Sequence, residues 1–438
     1  MSSRPASPAH QDSLDGIRAA AALTVVVLHV AGETGETSGM SAIPRFIGHG
    51  DIGVAIFFVL SGLLLYRPWA TALFSGKAGP ETVPYLWRRF WRVVPAFWLA
   101  VAIGLLAFNP EHADEWRTWA QLLGMVSIYD FSPWWPGTGP TGIYHLWTIS
   151  LEMSFYLVLP LLGAALAAVA GRATAPAARA RRALLGLAAL YPLHLVYQYF
   201  TYFPEWRPTL SMWLPRSLPW FALGMALSVV AAWAAAEPSG PARRFSAGVG
   251  AALPECWTAA GLLYLISCTE LTGPFGLNFG YDMFWPSIFR VVLYGAVSVL
   301  LVAPLALHPG NRHRLAVFFG SRPMAWLGRV SYGIYLWHAI LLLVLVRLLG
   351  PRVHTLPFAF GVLLALTLLV TLPAAGLSHR FLEEPVRRLG TRWTVRRRRD
   401  EQADRGAAQQ LRHGAGEARA ESARKETVHS GGAAREGE

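Results

Sequence analysis

The chain has little charge and almost no cysteine. Of its 438 residues only 15% are Asp, Glu, Lys or Arg while 54% are hydrophobic, and its mean hydropathy is positive. Soluble domains of that length would carry more charge, so the composition points to the bilayer as solvent. Cys256 and Cys268 are the only cysteines and lie within or beside one apolar run, which excludes a disulfide framework and a CxxC metal site; no metal is expected. No small-residue cleavage site closes the first apolar run, and similar runs keep recurring, so it reads as a retained helix rather than a signal peptide. Neither half of the chain repeats in the other, which weighs against an inverted-repeat transporter.

What is present is a series of runs long enough to span hydrocarbon, near 14–31, 51–73, 92–108, 144–170, 183–201, 212–235, 247–268, 286–307, 327–349 and 356–380. The expected fold is all-α, a polytopic bundle of about ten transmembrane helices. The 18 tryptophans belong at the two headgroup boundaries. With a cytoplasmic N-terminus, the inside connections hold Lys77, Arg88, Arg89, Arg92, Arg172, Arg179, Arg181, Arg182, Arg243, Arg244, Arg312, Arg314 and Arg322; the outside ones hold little beyond Arg45, Arg117, Arg207 and Arg352. The positive-inside rule therefore places both termini in the cytoplasm. The formal net charge of +12 is assigned to topology and anionic lipid, with no nucleic-acid partner.

Residues 1–13 form a cytoplasmic segment, 14–390 the membrane domain, and 391–438 a polar, disordered tail whose four successive arginines from Arg396 anchor the last helix to lipid. The longest outside connection, roughly 109–143, contains "EHADEWRTW" and "DFSPWWPGTGP", the signature of a short amphipathic element at the interface.

Ionisable groups inside such runs are expensive and by default functional. In "SLDGIRAAAALTVVVLHV", Arg18 and His29 are eleven residues apart, close to three full turns, so they share one helix face about 16 Å apart along the axis. Arg18 also reads as a snorkelling anchor, and His29 as a satisfied imidazole bonding a neighbouring helix. In "IYHLWTISLEMSFYLVLP" the helix enters from outside and Glu152 falls about 12 Å below that edge, near the level of His29. A His29–Glu152 pair is thus expected, with a helix-to-helix hydrogen bond as the plainer alternative. His145 sits at the outer boundary, solvated or touching substrate. In "WLGRVSYGIYLWHAILLL" the spacing of Ser331, Tyr335 and His338 gives them one face, for chemistry or for stitching helices together. Gly53 and Gly62 permit close backbone approach and Ser61 reaches mid-depth, with packing as the expected role.

In "YLWRRFWRVVPAFW", Arg88, Arg89 and Arg92 cluster at the mouth of the third run. Anchoring explains any one of them; three guanidiniums beside aromatics also suit a phosphorylated, nucleotide-like ligand. Arg216, in "LPRSLPWFALG", begins a run at the outer boundary and suits an acidic acceptor or a structural ion pair.

Taken together these segments resemble the acyltransferase-3 family of bacterial integral-membrane O-acyltransferases. The resemblance covers roughly residues 13–390 and rests on "LDGIRAAAALTVVVLH", "GVAIFFVLSGLLL", "RRFWRVVP", "LWTISLEMSFYLVLP", "RSLPWFALG", "LGRVSYGIYLWH" and "FLEEP" in order. It implies a ten-helix bundle in the bacterial cytoplasmic membrane. That bundle takes an acyl group, most often acetyl, from cytoplasmic acyl-CoA and passes it to a hydroxyl of a glycan, glycolipid or natural product. The family's Arg and His fall on Arg18 and His29, its arginine cluster on Arg88 and Arg89, and its carboxylate on Glu152. Many members carry a second acid after that carboxylate, where this chain has Met153. Relatives with an added SGNH hydrolase-like domain set a contrast; the stand-alone form is expected here. The mechanism implied has His29 as general base oriented by Glu152, with Arg18 at the donor phosphate or beside the developing negative charge. An acyl-histidine relay stays open, and a proton-coupled secondary transporter or flippase is the reading from a different class.

Overall fold

The computed structural model describes residues 8–37, 42–273, 283–308, 310–354 and 357–393. The tail from 394 onward, with its four arginines, and residues 1–7 lie outside the described residues. Every regular element among the described residues is helical. Hydrocarbon supplies no hydrogen-bond partner, and a helix satisfies its backbone internally.

The long helices are α1 (Pro8–Glu33), α2 (Ile52–Ser75), α3 (Thr82–Phe108), α4 (Trp147–Ala170), α5 (Pro176–Ala188), α6 (Leu190–Tyr202), α7 (Leu214–Ala236), α8 (Pro241–Ala251), α9 (Leu253–Ser267) and α10 (Phe284–Leu307). The short α11 (Arg322–Arg329) leads into α12 (Ser331–Leu349) and then α13 (Ala359–Ser378). Among the described residues nine segments are long and apolar enough to cross a membrane, α5 and α6 counting as one, and ten if the bent pair α8–α9 is one span. The chain is thus a multi-pass membrane protein. The seventh expected run is the bent pair: its halves meet at 70°, where Pro254, in the first turn of α9, has no N–H to continue the ladder of α8.

The third run starts ten residues earlier than its apolar stretch, at Thr82, so Arg88, Arg89 and Arg92 stand on the helix itself. The fourth begins with a 3₁₀ turn, Tyr144–Leu146, before α4 proper. The tenth extends through a π-helical turn, His379–Glu383, toward Trp393. Between α3 and α4 lies the expected short amphipathic element, the helix Trp116–Leu123, which buries Thr118 and Leu122 and exposes Trp116. His112 stacks on Trp134 there and bonds Glu115 at 2.7 Å, and those bonds hold the Glu115 carboxyl below the usual carboxylate range.

The interior is built around α1 and α2, each with 67% of its apolar window buried, against 22% for the last span. The tightest crossing is α2 on α7. A Cβ at Gly224 would lie 1.9 Å from the Val59 carbonyl oxygen and one at Gly62 2.1 Å from that of Phe221, while Ser228 donates to the Leu63 carbonyl. Small residues let backbones touch where apolar burial gives no advantage over lipid. A second such contact seats α1 against α11, where a Cβ at Gly328 would fall 2.0 Å from the Asp15 carbonyl oxygen.

Gly224→Leu is expected to destabilise the folded protein by about 1–3 kcal/mol or more through overpacking, read as a lower unfolding temperature in detergent. Gly261→Leu, with nothing within 4 Å of its Cβ position, should leave that temperature unchanged.

Candidate active site

Two cavities enter the bundle from opposite ends. One, of about 510 Å³, lies where α1 begins. Its wall takes Arg18 from α1, Arg67 from α2, Arg89 and Arg92 from α3, Glu152 and Tyr156 from α4, and Arg329 from α11. The π turn adds His379 and Glu383, followed by Glu384 and Arg387. A π turn re-aims the residues after it, and here it brings the acids of "FLEEP" to an arginine-rich wall. Arg89 is flanked by the rings of Tyr85 and Tyr156, each 5.9 Å from its guanidinium carbon, and its buried Nε has no partner among the described residues. Arg88 does not line the cavity; it stands about 100° around the helix from Arg89.

The second cavity, of about 610 Å³, lies at the opposite end. Its wall is aromatic, with Trp135, Tyr144, Trp147, Trp206 and Trp220, and includes His29, Arg216 and Arg290. Arg216 is 9% exposed and donates to Ser287 at 3.3 Å; it begins α7 as expected and faces the cavity His29 faces.

His29 lines this cavity among buried histidines. Its ring centroid is 5.0 Å from that of His338 and 6.2 Å from that of His145. The network sets the tautomers. His338 Nδ1 lies 2.8 Å from the Tyr335 carbonyl and 3.1 Å from that of Ile334. Carbonyls only accept, so Nδ1 holds the proton and the Nε2 of the neutral ring accepts. His29 Nδ1, 2.9 Å away, is the donor, which leaves His29 Nε2 as a lone pair with no partner among the described residues. That is the form a proton acceptor requires.

The expected His29–Glu152 pair is not formed. Glu152 Oε1 accepts from Ser61 at 2.6 Å and faces the arginine cavity, whereas His29 faces the aromatic one. Helical rise compares depth only to within about a turn and says nothing of tilt or azimuth; Glu152 is one turn past Thr148 on the arginine side. Ser61, expected to pack, is its hydrogen-bond donor. Tyr335 and His338 do converge with His29, but Ser331, on the same helix face, opens into the arginine cavity with its hydroxyl unpartnered among the described residues. His145, placed at the outer boundary by its sequence position, is 1% exposed. Its Nε2 donates to the Leu336 carbonyl at 3.3 Å, and nothing in "IYHLW" signals that depth. The Glu383–Glu384 pair was detectable, as adjacent acids ending an apolar run. Among the described residues no group of His, Cys, Asp and Glu is arranged to hold a metal ion.

Comparison with known proteins bears on this site. No solved structure shows a significant match. The chain is 26% identical over 407 residues to YrhL of Bacillus subtilis, covering 88% of this chain. It is 25% identical over 393 residues to the peptidoglycan O-acetyltransferase OatA of Listeria monocytogenes, covering 86% of this chain. It spans 56% of the length of each of these two relatives. The acyltransferase domain family (Acyl_transf_3) matches residues 11–376, which include every residue of the histidine cluster and the Arg18, Arg89 and Arg92 side chains, and the chain belongs to that family.

Proposed function

We propose that the protein transfers an acyl group, acetyl in the simplest case, from cytoplasmic acyl-CoA to a hydroxyl of a glycan, glycolipid or natural product on the other side of a bacterial cytoplasmic membrane. The observation that carries this reading is the pair of cavities, one rich in arginine and one aromatic with His29 in its wall, which share Val54, Thr148 and Tyr335. The positive-inside distribution supports a cytoplasmic arginine cavity and cytoplasmic termini. Arg18, Arg89 and Arg92 converge there on a space that suits the phosphates of CoA. The aromatic cavity suits a sugar ring, which stacks on tryptophan faces and offers hydroxyls. The O-acetyltransferase relative supports acetyl and a glycan, and membership of an acyltransferase family favours transfer over transport.

In the reaction, His29 Nε2 accepts the proton of the acceptor hydroxyl as its oxygen attacks the thioester carbonyl. The C–S bond breaks, and the CoA thiolate takes that proton from the imidazolium, leaving an ester and free CoA thiol. His338 holds the ring in the reactive tautomer through the Nδ1–Nε2 bond. Glu152, bonded to Ser61 among the guanidiniums, serves the donor side by balancing their charge and holding their geometry. Membrane lipids surround the bundle; no metal or nucleic acid takes part in this scheme.

His29→Ala should lower turnover of acetyl-CoA by about 10²–10⁴-fold, the usual worth of a general base, while the detergent-purified variant still binds donor. Equal turnover in the variant would remove His29 from the role of base. Changing Arg89 and Arg92 together to Ala should weaken donor binding by at least about tenfold, since each charged hydrogen bond is worth about 1.5–3 kcal/mol, and leave turnover at saturating donor nearly intact. Calorimetric titration with acetyl-CoA beside a thiol-release assay separates the two effects.

A further inference from the structure

The two cavities share three wall residues, Val54 from α2, Thr148 from α4 and Tyr335 from α12. Each is the last residue its helix contributes to one cavity before the wall passes to the other. On α4 the aromatic cavity takes residues up to Thr148 and the arginine cavity continues through Glu152 to Tyr156; on α12 the arginine cavity takes Ser331 and Tyr332 and then Tyr335. The partition is thus one side chain thick. Tyr335 is its largest member and is pinned. Its hydroxyl lies 2.6 Å from Thr148 Oγ1 and 3.0 Å from the His145 carbonyl, which Thr148 also reaches at 3.2 Å. Phe57 packs edge-on against its ring at 6.1 Å. Both hydroxyl protons are taken up within this set, which leaves no open donor to lead water across, and Val54 adds its methyls to the wall.

A molecule that grips its donor from one side and its acceptor from the other must do two things at this wall. It must stay closed to water and protons, and it must let the acyl carbon come within reach of His29 Nε2. We propose that Tyr335, latched to Thr148 beside Val54, is the septum that separates the two cavities and sets the size of the acyl group that crosses between them. An acetyl group brings one methyl past the ring. Each further methylene has to occupy the space of Tyr335 itself, and a tightly bounded apolar site discriminates by about 10–200-fold per methylene. The size-selecting half of this inference rests on the acyl-transfer reading; the barrier half rests on the cavities alone.

The experiment uses the full chain in proteoliposomes, as wild type, Tyr335→Ala and the milder Val54→Ala, each checked for monodisperse elution. Thiol release from acetyl-, butyryl- and hexanoyl-CoA gives the kcat/KM ratios, and an entrapped pH dye reports proton leak. The expected wild type is tight and prefers acetyl over butyryl by at least tenfold. Tyr335→Ala should shrink that preference at least tenfold and leak protons, with Val54→Ala shifted in the same direction by less. Chain-length ratios within threefold of wild type in both variants, or a wild type that favours hexanoyl, would overturn the size-selecting role. Tight vesicles for Tyr335→Ala would overturn the septum. If the wild type consumes no acyl-CoA, the acyl-transfer reading and the size selection fall together, and the leak assay still decides the barrier.

Discussion

A hydrocarbon layer offers no hydrogen bonds, and every polar feature of this molecule is arranged around that constraint. The backbone meets it by folding into helices. The side chains meet it by collection: arginines, acids, histidines and hydroxyls that would be costly against lipid are gathered into two internal cavities, where they face one another or an aqueous ligand. Even the last span, among the least buried, turns its His379, Glu383 and Glu384 inward to a cavity. The cavities meet at α2, α4 and α12, and α1 and α2 are held by the glycine contacts that let backbones approach.

The histidine cluster is the sharpest consequence. Three imidazoles share a space with two aromatic hydroxyls, and the two backbone carbonyls behind His338 set the proton positions of His338 and His29. A carboxylate in the same place would have polarised His29 more strongly. The neutral partner found instead orients the ring without adding a buried charge. The carboxylate of Glu152 stands on the other side, among guanidiniums whose mutual repulsion it offsets.

Much of the fold was legible in the sequence because its cause is local. Length and hydropathy of each run decide whether it spans, and every expected run recurs as helix, most of them within a few residues. The departures have local physical causes too: Pro254 bends the seventh run, and the third helix extends through polar residues that hydropathy had treated as loop. Of the site, the Arg18–His29 spacing on one helix was legible because helical geometry alone relates them. The partner of His29 was not, because matching depths across antiparallel helices leaves tilt and rotation free. His145 gave no sign of its burial, since a histidine at the start of an apolar run looks the same whether it meets solvent or turns inward on a 3₁₀ turn.

The sequence by itself determined that this chain is helical, crosses a membrane many times, carries intramembrane Arg18, His29 and Glu152, and resembles a family of acyltransferases. Only the tertiary structure decided which of those residues meet. It put Glu152 with Ser61, His29 with His338, and Arg89 and Arg92 but not Arg88 into one cavity, and it placed Tyr335 on the wall between two cavities. The reason is that periodicity and hydropathy are properties of single helices, whereas contacts between helices are set by packing rotations that the small residues at α2, α7, α1 and α11 permit and no single run encodes.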